Sequence, residues 1–159
     1  MIIKLSLLIF IALQISCATA PKFDTKNIEL SLTPEQVVND TVSTRGKTIL
    51  WGGTILDIRN LKNETQIEIL AYPLNTYHRP LTGKKPLGRF ILLQTGYLEP
   101  ASYAQGEKLT VIGKVSGTRS GKVGDTQYTY ALIKAQQLHL WPDDSESTTR
   151  FHFGIGIQM

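Results

Sequence analysis

The residue with the clearest chemistry in this sequence is its single cysteine. Cys17 closes an apolar run, Ile2–Ile15, interrupted only by Lys4 and a few small polar residues. A charged start, a short apolar core and small residues at the exit are what a signal peptidase reads, and the run is too short to span a bilayer as a helix. A thiol at that exit is a nucleophile open to acylation through a thioether. The competing reading is a small buried thiol beside a cleaved signal, which would stand unpaired in an oxidising compartment.

A second set of residues suits binding. Arg79, Lys84, Lys85 and Arg89 follow one another without an intervening acid, in a stretch punctuated by Pro80, Gly83 and Pro86. Placed beside Arg119 and Lys122, they predict a cationic rim for a phosphorylated lipid or another anionic envelope component. The same charges also fit a solvated loop that keeps the protein soluble. Tyr72, Tyr77, Phe90, Tyr97, Tyr128 and Tyr130 recur near strand ends and offer an alternative ligand, an oligosaccharide lying on an aromatic face. Phe90, Trp51 and Trp141 read as packing residues.

Catalytic chemistry finds no assembled set of groups. His78, His139 and His152 are far apart and have no second cysteine to join them, so neither a metal site nor a cofactor is expected. His139, between Leu138 and Leu140, reads as an exposed or rim residue. Gly117–Val123 imitates a phosphate loop but has one residue too few between its glycines, and Val123 stands where a hydroxyl should bind magnesium. Glu64 with Glu68 and Asp143 with Asp144 read as solvated charge rather than acid and base. No nucleophile, base and orienting group can be named together, so no catalytic residue is expected and a hydrolase is the least favoured reading.

The elements that must position these residues are mostly β. Residues 18–32 show no sustained period and read as a tether whose role is reach. Thr33-Pro34-Glu35-Gln36 has the form of a capping box and predicts one short helix through Val38. Strands are expected over Lys47–Arg59, Thr65–Leu74, Gly88–Thr95, Lys108–Gly117 and Tyr128–Trp141. Gly52-Gly53 predicts a bulge or tight bend in the first, and Thr118–Asp125 reads as a glycine-rich hairpin loop before the last. Short turns between neighbours and the lack of βαβ alternation favour a small five-stranded antiparallel barrel of the oligonucleotide/oligosaccharide-binding (OB) type. The tail Arg150–Ile157 alternates Phe and Ile with polar or glycine positions, as an extra edge strand or a weak contact would.

Composition agrees with a single domain without disulfides. The formal net charge is +4, and residues 41–140 hold thirteen Lys and Arg against six Asp and Glu, while Asp143, Asp144 and Glu146 cluster near the end. An exported address makes nucleic acid an unsuitable partner for this basicity.

Two resemblances add to this reading. Ile15-Ser16-Cys17 is similar to the processing site of bacterial lipoproteins, although Gln14 stands where Leu is usual and Leu13 comes one residue earlier. The segments Leu50-Trp51-Gly52-Gly53, Tyr72-Pro73-Leu74, Gly88-Arg89-Phe90, Gly96–Pro100, Leu109–Gly117, Tyr128-Thr129-Tyr130 and Leu140-Trp141 resemble, in order, the Slp family of starvation-inducible outer-membrane lipoproteins. The resemblance implies a signal peptide at 1–16, lipid attachment at Cys17, a lipidated tether at 17–32, an OB-like domain at 33–142 and a polar, aromatic tail at 143–159. It further implies an address on the periplasmic side of the outer membrane, since Ala18 and not an aspartate follows the cysteine. The expected role is non-enzymatic binding to an anionic envelope component or envelope protein, with a glycan- or lipopolysaccharide-binding module as the alternative.

Overall fold

The computed structural model describes residues 21–142. The expected signal at 1–16, Cys17 and the tail at 143–159 lie outside the described residues. Two short helices, α1 (Pro34–Asn39) and α2 (Thr41–Thr44), precede five strands: β1 (Thr48–Asn60), β2 (Glu64–Tyr72), β3 (Gly88–Thr95), β4 (Lys108–Val123) and β5 (Thr126–Leu140). The strands close into a barrel in the order β1-β2-β3-β5-β4, with β4 returning to β1. This is the OB-like architecture expected from the sequence, with one correction to its strand directions. The β3–β5 pair is parallel, with Phe90 opposite Ala131 and Leu92 opposite Ile133. A closed ring with an odd number of strands cannot alternate direction throughout, and the mismatch falls where two strands distant in sequence meet.

Side-chain alternation divides the barrel between core and outer face. Ile67, Ile69 and Ala71 of β2 point inward beside Phe90 and Leu92, while Gln66, Glu68 and Leu70 point outward. Trp51 packs edge-on against Phe90 in the centre, their rings 5.2 Å apart, and both are buried as expected. A shift in register between Ile55 and Asp57 inserts Leu56 as an extra residue, so that Ile55 and Ile58 both keep contact with the core.

The shift does not occur at Gly52-Gly53, where a bulge or bend was expected. There β1 pairs regularly with both neighbours, Gly52 opposite Tyr72 on one side and Thr110 on the other. The glycines instead permit close approach. A Cβ on Gly53 would collide with the Leu70 carbonyl oxygen and meet Ile69 Cγ2 at 2.7 Å; one on Gly52 would meet the Leu109 carbonyl oxygen at 2.8 Å.

Helix α1 starts at the predicted capping box. The Gln36 amide donates to Thr33 Oγ1 (3.3 Å), the Thr33 amide donates to Gln36 Oε1 (2.9 Å), and Val37 is buried against the core. A second helix follows where the sequence predicted a stop, because Asp40 caps it: Oδ1 accepts from the Ser43 amide (3.1 Å) and its carbonyl accepts from Thr44 Oγ1 (2.6 Å).

The described part of the segment read as a tether runs across the outside of the barrel. The Lys22 carbonyl accepts from the Gln137 side chain (3.2 Å), and Phe23 meets His78 edge-on at 5.5 Å. The Glu29 amide donates to the Thr48 carbonyl (2.9 Å), and the Leu32 carbonyl accepts from the buried Trp51 indole (2.7 Å). Among the described residues no helix is long and apolar enough to cross a membrane.

Candidate functional site

The stretch expected to be a hairpin loop, Thr118–Asp125, is mostly strand. β4 continues to Val123 and pairs with β5 as far as Val123–Thr126, leaving only Gly124 and Asp125 to turn, with Gly124 at φ +59°. Gly121 is a packing residue, not a loop residue: a Cβ there would lie 2.9 Å from Cε2 of Tyr130, whose ring crosses it. The two strands form a ribbon that reaches beyond the closed ring and brings Arg119 and Tyr130 over Gln66 and Glu68 of β2 and the Tyr128 hydroxyl to the start of β3.

A compact polar cluster lies at the root of this ribbon. Arg89 Nη1 is 2.7 Å from Glu68 Oε1, which also accepts from the Tyr130 hydroxyl at 3.3 Å. The Arg89 amide donates to the Tyr128 hydroxyl (2.9 Å), and the two tyrosine rings meet edge-on at 4.8 Å. Burial, reinforced by the Glu68 charge, raises the Tyr130 pKa above its ordinary value, so the hydroxyl stays protonated as a donor. Tyr130 is almost wholly buried, whereas Tyr128 keeps one edge in solvent.

This cluster separates two depressions. On one side a cleft of about 580 Å³ is lined by Pro34 and Val38 of α1, by Lys85, Leu87 and Arg89, and by Tyr128. On the other a smaller depression of about 140 Å³ is bordered by Arg59, Gln66, Glu68, Arg119, Lys122 and Tyr130. Arg119 Nη1 donates to Gln66 Oε1 (2.9 Å), and Arg59 is held by Asp57 at 2.7 Å. Of the six cations singled out in the sequence, Lys85 and Arg89 line the first depression and Arg119 and Lys122 the second, on either side of the Arg89–Glu68–Tyr130 cluster.

Arg79 and Lys84 line a different depression, together with Lys108. Arg79 donates to the Pro142 carbonyl (3.0 Å) and lies 5.6 Å above the Trp141 ring, so it braces the end of β5. His139, read as a rim residue, is half-buried between Trp141 (4.5 Å) and Phe23 (6.3 Å). That burial lowers its pKa. Arg59, Gln66 and Glu68 were not expected in a site. Alternation alone puts Gln66 and Glu68 on one outward face, but only the strand register brings the ribbon over them.

Three known proteins are similar to this chain over 96 residues, or 60% of it: an uncharacterized protein of Haemophilus influenzae (33% identical), the uncharacterized lipoprotein YeaY of Escherichia coli K12 (29%) and the outer membrane protein Slp of the same organism (27%). The matched stretch covers 52%, 49% and 50% of those proteins, so the chain spans about half the length of the curated relatives it matches. The family model described as Outer membrane lipoprotein Slp family matches residues 15–156. That match spans the described barrel and both flanks, and the chain belongs to the outer membrane lipoprotein Slp family.

Proposed function

We propose that this protein is a non-enzymatic lipoprotein, acylated at Cys17 and facing the periplasm, that acts in the cell envelope by binding a phosphate-bearing component. The observation that carries the reading is the convergence of Lys85, Arg89, Arg119 and Lys122 around the Tyr128–Tyr130 pair on one outer face of the barrel. Glu68 is engaged by Arg89 and Tyr130, so the acidic group at the centre is held by donors, while the ammonium groups of Lys85 and Lys122 stand in solvent. Such an arrangement attracts an anion by its field and orients it by hydrogen bonds.

The test is binding of lipopolysaccharide to the full protein in non-ionic detergent, comparing wild type with a Lys85→Gln, Arg119→Gln, Lys122→Gln variant. At about 1 kcal/mol per cation the variant should bind at least about tenfold more weakly, and wild-type binding should fade as salt rises. Equal binding by the two proteins overturns the anionic ligand. Salt-insensitive binding that is lost in Tyr128→Ala would assign the face to a neutral glycan instead. The anchor is tested separately: Cys17→Ser should lose labelled palmitate, and retention of label would refute acylation at Cys17.

A further inference from the structure

The route of residues 22–32 across the barrel fixes which side of the domain a lipid anchor can bring to the membrane. Lys22, whose carbonyl is bonded to Gln137 of β5, is only five residues beyond Cys17. Fully extended, five residues reach at most about 18 Å, less than the width of a small domain. Phe23, one residue further, already lies against His78.

His78 borders an apolar groove of about 420 Å³ between the segment 30–34 and the β2–β3 loop, with Leu30, Leu32, Leu50, Leu74 and Leu87 in its walls. Leu30, in the wall of this groove, is 61% exposed, and Tyr77, which precedes the lining residue His78 in the chain, is 66% exposed. Lys84 and Lys85 belong to the same β2–β3 loop and are exposed. An apolar surface carrying an exposed leucine, a tyrosine and nearby lysines has the composition of a membrane-interface surface, where aromatic rings sit at headgroup level and cations meet lipid phosphates.

We infer that this face, centred on Leu30 and Tyr77, rests on the bilayer to which Cys17 is anchored. The occupant of the groove is the lipid surface itself; the groove meets the Lys85–Tyr128 cleft at Thr33, Pro34 and Leu87, whereas Arg119 and Lys122 line neither. The inference rests on acylation at Cys17, as proposed above. With that thiol acylated, a cysteine introduced elsewhere is the only one free for labelling.

Leu30→Cys, Tyr77→Cys and, as a control of comparable exposure at the β1–β2 turn, Leu61→Cys would each be labelled with an environment-sensitive fluorophore in the full lipoprotein. Each protein would then be reconstituted into phosphatidylethanolamine–phosphatidylglycerol vesicles containing nitroxide lipids. Labels at 30 and 77 should shift to the blue and lose about half or more of their emission, as expected for groups within about 5–10 Å of the headgroup boundary. The label at 61 should keep its emission. Equal quenching at all three sites, or none at 30 and 77 in a protein that carries palmitate and floats with the vesicles, overturns the inference and leaves the anchor intact. A protein that carries no palmitate and does not float overturns the anchor and this inference together.

Discussion

Arg89 Nη1 and Glu68 Oε1 lie 2.7 Å apart on the outer face of β2 and β3, each side chain less than one-third exposed. The pair holds Arg89 at the border of two depressions and leaves the carboxylate occupied. In Glu68→Gln the guanidinium loses its charged partner while the shape is kept. We expect a cost of about 1 kcal/mol in urea unfolding, as for a partly buried pair, together with tighter lipopolysaccharide binding because one negative charge has left the face. Weaker binding by Glu68→Gln would show that the carboxylate itself takes part.

Close approach at Gly53 predicts a large effect from a single methyl group. Gly53→Ala should destabilise the barrel by about 1–3 kcal/mol, since the Leu70 backbone cannot move without disturbing the β1–β2 pairing. Gly83 has open space around it, and Gly83→Ala should stay within about 0.5 kcal/mol of wild type. Similar midpoints for the two variants in urea would contradict the packing described for β1.

Trp51 both fills the core and ties down the N-terminal segment through Leu32. Trp51→Phe keeps most of the ring packing but removes the 2.7 Å indole bond, at a cost of about 1–2 kcal/mol. Limited proteolysis should then cut within residues 22–32 faster than in wild type. An unchanged cleavage rate would mean that the remaining contacts suffice to hold the segment.

His139 gives a pH dependence of definite sign. Burial lowers its pKa below the ordinary 6.5, so the unfolded chain takes up a proton more readily than the folded one. Stability from the neutral ring is fully present above pH 6.5 and declines as pH falls through that value toward the lowered pKa of the folded state. His139→Phe, which preserves a ring between Trp141 and Phe23, should flatten this part of the curve when unfolding is followed from pH 8 to 5. A slope unchanged in the variant would place its origin elsewhere.

Much of the barrel was legible because period-2 alternation and turn residues are local signals. β3 was read to its exact ends, Gly88 and Thr95, and the capping box at Thr33 gave the start of α1. What escaped were features set by partners distant in sequence. Gly121 looks like a turn residue until Tyr130 is seen lying across it, and residues 22–32 look like free chain until Trp51 is found donating to Leu32. The site was legible by charge but not by grouping. Arg79 and Arg89 look like one basic stretch, yet one braces Trp141 and the other pairs with Glu68, because Arg79 lies in the turn closed by the Leu74–Pro80 bridge while Arg89 is already in β3, opposite Leu70.

The parallel pairing of β3 with β5 has a consequence for biogenesis. Phe90 must find Ala131 after the whole of β4 has been made, and β5 is the strand that covers the open edges of both β3 and β4. Contacts so distant along the chain close slowly, so a molecule emerging N-terminus first passes through a stage with two unsatisfied strand edges. Loss of the last strand by a premature stop or by proteolysis would make that stage permanent, converting a sealed barrel into a sheet that recruits strands from its neighbours.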